Sequence, residues 1–99
     1  MAKYTVSIDK DLEDVVPGYL EARLKELPEL AALYSAGDLE SLRKIGHKLA
    51  GSGGGYGFDR ISELGKQIET LALAGDAAGV AARLAELKDY IENVAVVYQ

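Results

Sequence analysis

The triplet Ala-Gly-Asp occurs twice, at 36–38 and 74–76, each time between stretches whose apolar residues recur every three or four positions. A glycine just past a periodic stretch ends a helix, and an aspartate before the next one caps it. Used twice, this punctuation commits most of the chain to helices joined by very short turns. The flanking stripes are Leu20, Leu24, Leu27, Ala31 and Tyr34, then Ile61, Leu64, Ile68 and Leu71, then Val80, Leu84, Leu87, Ile91 and Val94. Each marks one apolar face. Strict alternation shows only near Tyr4–Ile8, too little for a sheet. Pro17 suits a first helical turn and Asp59 is a third candidate cap. Pro28 removes the hydrogen bond to the Leu24 carbonyl and predicts a kink or break near Leu27.

The expected elements are a short helix at roughly 9–15 and helices near 17–35, 39–55, 58–74 and 77–97, after an extended or poorly ordered segment at 1–8. Short connections make neighbours antiparallel. The fold class is therefore all-α, an up-down-up-down antiparallel four-helix bundle with a short extra N-terminal helix, in one domain over 1–99.

Composition narrows the function. Net charge is −5, which disfavours bulk attraction to nucleic acid or anionic lipid. No apolar run approaches the ~20 residues that span a bilayer. The absence of cysteine excludes a disulfide framework and thiolate metal sites, and a cytoplasmic setting is expected.

Six of the eleven glycines fall in 46–57, around the single histidine, His47. A phosphate-cradling loop does not fit them: no strand precedes, no lysine stands before Ser52, and no GxGxxG can be read there. A metal site does not fit either, since one histidine without cysteine would need a carboxylate cluster at ligand spacing. Rotation by about 100° per residue from Leu39 onward gathers Leu39, Leu42, Ile45, Gly46, Leu49 and Gly53 on the core side. His47 lies opposite, with Glu40, Arg43, Lys44, Ala50, Gly51 and Gly54. Gly46 and Gly53 are expected to admit a neighbouring helix. Gly51 and Gly54 are expected to leave the imidazole without tall neighbours. Each glycine inside a helix costs about 1 kcal/mol relative to alanine, so this bareness implies clearance for a bulky group or a docking protein. Arg43, Lys44 and Lys48 add local positive charge that suits a phosphoryl group.

His47-Lys48-Leu49-Ala50-Gly51-Ser52, with Gly57 ten residues after the histidine, resembles the histidine phosphotransfer (Hpt) domain. Ile61-Ser62-Glu63-Leu64-Gly65-Lys66-Gln67-Ile68-Glu69 is similar to that family's next helix. The likeness runs from Asp11 to Tyr98, and the two ends look like those of small free-standing members. It implies a helical bundle whose exposed His47 accepts a phosphoryl group from a receiver-domain aspartate and passes it to another receiver. It implies a carrier without an ATP site and without a cofactor of its own. The Mg²⁺ sits on the receiver, and the partners are response-regulator receivers, including that of a hybrid histidine kinase. Glu69 stands where the family orients the imidazole through one ring nitrogen. One position departs, since Ala50 replaces the lysine that neutralises the phosphoryl charge. Lys44, Lys48 or Lys66 is expected to substitute. A monomer is expected, because one bundle closes its own core. Two alternatives stay open: a degenerate Hpt-like adaptor that binds receivers without being phosphorylated, and a plain interaction module with Tyr19, Tyr56 or Phe58 as exposed anchors.

Overall fold

The computed structural model of the chain describes residues 2–99; Met1, the first residue of the expected extended segment, lies outside them. Four helices carry it: α1 (Val16–Ser35), α2 (Leu39–Ser52), α3 (Asp59–Leu73) and α4 (Ala77–Asn93). Both Ala-Gly-Asp triplets act as the sequence predicts. Gly37 and Gly75 take φ of +72° and +74°, the left-handed conformation that ends a helix and that glycine enters without a Cβ penalty. Asp38 then accepts from the Ser41 backbone N–H at 3.0 Å, and Asp76 from that of Gly79 at 2.9 Å. Asp59 is no cap. It opens the first turn of α3, and the cap position is held by Phe58, which makes no side-chain capping bond and is fully buried. The core fixes the chain's entry into α3, and a polar cap does not.

Three expected boundaries move. Helix α2 stops at Ser52, not near 55, because Gly53, Gly54, Gly55 and Gly57 follow with no side chains to favour another helical turn. They fold instead as a 3-10 turn over Gly54–Tyr56, with the amides of Tyr56 and Phe58 both donating to the Gly53 carbonyl. Helix α1 runs unbroken through Pro28. Pro28 and Leu24 are both exposed, so water can serve the Leu24 carbonyl that proline leaves unbonded. The inward face of α1 is also rotated from the predicted stripe. Val16, Tyr19 and Leu30 are buried, while Leu24 and Ala31 face out along the seam with α4.

The expected N-terminal helix is absent. Residues Tyr4–Ile8 form a strand, β1, followed only by a 3-10 turn at Lys10–Leu12. Helix α4 ends at Asn93, not 97, and Val94–Tyr98 form β2, which pairs in parallel with β1 from Tyr4↔Val94 to Ile8↔Tyr98. A lone alternating pentapeptide cannot make a sheet. Val94-Ala95-Val96-Val97-Tyr98, rich in β-branched residues, supplies the missing partner. Its helical spacing with Leu87 and Ile91 hid that partner in the sequence. The pair extends as the Gln99 amide donates to Ile8 and the Lys10 amide to Gln99. Asp89 on α4 clasps the strand by accepting from Lys3 Nζ at 2.8 Å and from the Tyr4 hydroxyl.

The core gathers Leu42 and Leu49 from α2, Ile61, Leu64 and Ile68 from α3, Val80, Leu87 and Ile91 from α4, and Phe58, with Ile8 of β1 sealing one end. Helices α2 and α3 run antiparallel and approach most closely where side chains are missing. A Cβ at Gly65 would stand 2.6 Å from the Ala50 backbone nitrogen, and one at Gly46 2.8 Å from the Gly65 carbonyl oxygen. At Gly53 it would stand 2.7 Å from the Ser62 nitrogen. The expectation that Gly46 and Gly53 admit a neighbouring helix is met.

Two outcomes follow from this packing. Gly65→Ala should gain helix propensity yet lose about 2 kcal/mol net in a urea titration, because the clash is with backbone that cannot rotate aside. The hydrogen bonds from Lys3 and then Tyr4 hold the Asp89 carboxyl below the usual carboxylate range. Its folded pKa is depressed, so its contribution is complete above about pH 4 and lost as pH falls through the folded value. Asp89→Asn should therefore lower stability at pH 7 and leave less to lose on acidification, measured by melts across pH 2–7.

Candidate functional site

His47 sits in the middle of α2, on the face turned away from the core. Its side chain is 73% exposed. The helical phase sets this, since Gly46 and Leu49 on either side are buried. The close approach of α2 and α3 then brings a second side chain to it. Glu69 of α3 places Oε2 2.8 Å from His47 Nδ1 and is itself only 25% exposed. An ionised carboxylate can only accept, so Nδ1 carries the hydrogen and donates it to Glu69. In the neutral ring Nε2 is then left with a free lone pair. Because Nδ1 is turned towards α3, Nε2 points away from α3 and out to solvent. The arrangement is that of an oriented imidazole able to act as a nucleophile, with a carboxylate placed to balance positive charge on the ring.

The surroundings sort by position. Gly51, one turn after His47, opens on empty space: a Cβ there would meet nothing within 4 Å. Gly54 does not share that face, as the sequence suggested, because α2 has already ended. Its amide donates instead to the Ser62 hydroxyl at 2.8 Å, which ties the glycine turn to the start of α3. Lys44 and Lys48 are exposed on α2, and among the described residues neither forms an ion pair. Lys3, Lys25 and Lys88, remote along the chain, are each paired with a carboxylate. Arg43 is bound to Glu40 through Nε at 3.1 Å and through Nη2, so its charge is largely spoken for. Lys66 lines the groove between α3 and α4 with Gln67, Thr70 and Arg83. Ala50 is half-buried beside Gly65.

The aromatic residues are not exposed anchors. Phe58 is fully buried and Tyr19 is 7% exposed. Tyr19 stacks on Tyr56 with ring centroids 4.3 Å apart, and its hydroxyl shares a 2.9 Å hydrogen bond with Ser52 Oγ. These residues fix α1 against the end of α2. Sequence reading missed this link and also missed Arg23, whose guanidinium carbon lies 4.7 Å above the Tyr19 ring. The four-residue spacing from Tyr19 to Arg23 was the available signal.

Gly51→Ala should stabilise the chain by up to about 1 kcal/mol in urea, since helix propensity rises and nothing is displaced. Destabilisation would mean that the space over this helix is not open.

Two independent lines now meet on the same chain. One is a helical protein with a solvent-facing histidine whose Nδ1 is held by a carboxylate from the next helix. The other is a match of residues 14–96 of the 99-residue chain to the family model described as the Hpt domain. No curated protein and no solved structure matches the chain. The match covers all four helices in full and leaves out only residues 1–13, which hold β1, and 97–99 at the end of β2, and the chain therefore belongs to the Hpt domain family.

Proposed function

We propose that His47 is the phosphorylated residue of this Hpt domain and that the chain is a carrier between receiver domains, one of them that of a hybrid histidine kinase. Membership of the family implies histidine phosphotransfer in two-component signalling, through contact with response-regulator receivers. The observation that carries the assignment to His47 is its 2.8 Å hydrogen bond from Nδ1 to Glu69 on an otherwise exposed ring. The up-down-up-down order and a monomeric state belong to the same reading. That order is supported by Tyr19 meeting Ser52 across α1 and α2, by Gly46 approaching Glu69 while Gly53 approaches Ser62 across α2 and α3, and by Arg60 meeting Glu86 while Gln67 meets Arg83 across α3 and α4.

The step is a displacement at phosphorus. The Nε2 lone pair attacks the phosphorus of an aspartyl phosphate. The N–P bond forms as the bond from phosphorus to the acyl oxygen breaks, and that electron pair leaves on the aspartate carboxylate. No proton moves: Nδ1 keeps its hydrogen towards Glu69, and the ring becomes a cation whose charge Glu69 balances. The transition state is loose, so positioning and charge neutralisation govern the rate. Gly51 provides clearance, and Lys44 and Lys48 provide unpaired positive charge beside the phosphoryl oxygens. Lys66, on α3 one turn before Glu69, is the third candidate for that charge. The reverse transfer uses the same groups.

Incubation with a phosphorylated receiver should place acid-labile, base-stable phosphate on the chain, and His47→Gln should abolish it with the helical circular dichroism unchanged. Label on that variant would refute the assignment. Receiver binding without any label would favour the adaptor reading, which the alanine at position 50 keeps in play. Glu69→Gln, which keeps a hydrogen-bonding oxygen but removes the charge, should slow acceptance by about 10- to 100-fold. Ala50→Lys should lengthen the phosphohistidine lifetime or speed transfer, read from the decay of labelled protein.

A further inference from the structure

The half-buried cation at the seam of α1 and α2 is only partly used by the fold: Arg23 lies over the Tyr19 ring and pairs loosely with Glu26. Arg23 is 20% exposed, and its Nε is buried with no hydrogen-bond partner among the described residues. The nearest carboxylate, Glu26 Oε1, stands 3.4 Å from Nε, an ion pair without a hydrogen bond. Everywhere else the arginines are hydrogen-bonded: Arg43 to Glu40, Arg60 to Glu63 and Glu86, Arg83 to Glu86 and Gln67. A guanidinium forks naturally onto a carboxylate; with Nε buried, an acceptor from outside would be met by the terminal nitrogens at the exposed edge of the side chain.

Its placement faces the nucleophile's open side. The bond between Tyr19 and Ser52 sets the two helices in antiparallel register, so Arg23, one turn further along α1, comes level with Lys48, one turn back along α2. Lys48 and Arg23 both act on the Glu26 carboxyl. Burial nevertheless raises that carboxyl above the usual range, the sign of an incompletely satisfied anion beside an incompletely satisfied cation. Because Glu69 holds Nδ1 towards α3, Nε2 points away from that helix, to the side where Lys44, Lys48 and Arg23 lie. A protein reaching Nε2 over Gly51 must pass this row.

We infer that Arg23, laid on the Tyr19 ring, is a docking residue for the receiver: it takes a carboxylate on the rim of the receiver's acidic site and holds that domain over His47 Nε2, with Glu26 as the internal carboxylate it releases on binding. This rests on the reading above only in naming receivers as partners. The occupant is an acidic protein surface, chosen because the loosely paired Arg23 and the unpaired Lys44 and Lys48 converge there in a chain of net charge −5. Arg23 is a positioning residue; it acts on the partner, and the phosphoryl group is left to Lys44 and Lys48.

The test uses the full chain and one receiver domain, taken as the fastest donor in a survey of the host's receivers or, where none donates, the tightest binder. Affinity is measured by calorimetric titration for the wild type, Arg23→Gln, Arg23→Lys and Glu26→Gln. Arg23→Gln should bind about tenfold more weakly, and Arg23→Lys, which keeps charge but loses the fork, should fall between. Glu26→Gln should bind about two- to threefold more tightly, an opposite sign that a merely structural arginine would not produce. It carries the test if Arg23→Gln fails to fold. Labelling of His47 by phosphoramidate, which needs no receiver, should be unchanged in Arg23→Gln. Unaltered receiver affinity in Arg23→Gln, weaker binding in Glu26→Gln, or slowed labelling by phosphoramidate would each overturn the proposal. A wild-type chain that binds receivers with this arginine dependence but takes no phosphate would sink the carrier reading and leave the docking role standing. Absence of receiver binding by the wild type would overturn both.

Discussion

The site depends on the missing side chains between α2 and α3. Gly46 and Gly65 let the two backbones meet where a single Cβ would lie 2.6–2.8 Å from a main-chain atom. That approach carries Glu69 to His47, two residues that are 22 positions apart in sequence. With an ordinary side chain at Gly65 the helices would stand further apart, and the carboxylate would not reach Nδ1 from the same place on α3. The glycines near the histidine therefore divide into two kinds. Those on the core side set the distance between helices, and Gly51 on the outer side leaves room above the ring. The helix-propensity cost of the first kind is offset by packing, since Leu42, Leu49, Leu64 and Ile68 close around the contact.

Charge is distributed with the same division of labour. An acidic chain with net charge −5 keeps most of its basic groups paired on its own surface, where such pairs contribute little to stability. Around His47 the pattern reverses. Lys44 and Lys48 have no carboxylate partner among the described residues, and Arg23 has only a loose one. Arg43, the cation nearest to these in sequence, is withdrawn by Glu40. Local unpaired positive charge beside an exposed imidazole suits the dianionic phosphoryl group of the proposed reaction. It also bears on Ala50. The family's lysine is absent there, and Ala50 lies half-buried against Gly65, on the flank where α3 already approaches. Lys44 and Lys48 lie on the other flank, towards α1.

Much of this was legible before any coordinates. The two glycine-aspartate turns, the inward faces of α2, α3 and α4 and the outward histidine follow from short-range rules of period, capping and spacing, while Glu69 as its partner was implied only by the family resemblance. What was not legible depends on residues distant in sequence. The strand Tyr4–Ile8 gains its meaning only from Val94–Tyr98, whose apolar spacing also fits a helix, so local pattern favoured the wrong state. Pro28 reads locally as a kink or a break, but α1 continues through it as one helix, with Val16, Tyr19 and Leu30 packed into the core on either side. Tyr19 and Phe58 looked like surface aromatics because nothing near them in sequence announces that they stack together under the end of α2. Gly54 was assigned to the histidine's face by extending a helix that three successive glycines bring to a close. The charge arrangement at Arg23 was invisible for the same reason, since a long side chain's partner is chosen by the fold.

The account turns on which ring nitrogen is free. Phosphorylation of the ¹⁵N-labelled chain by a receiver, followed by ¹⁵N and ³¹P nuclear magnetic resonance of the product, identifies the atom that carries phosphorus. Glu69 holding Nδ1 predicts a single phosphohistidine at residue 47 with phosphorus on Nε2 and the Nδ1 hydrogen retained. Phosphorus on Nδ1, or on any other residue, would contradict it.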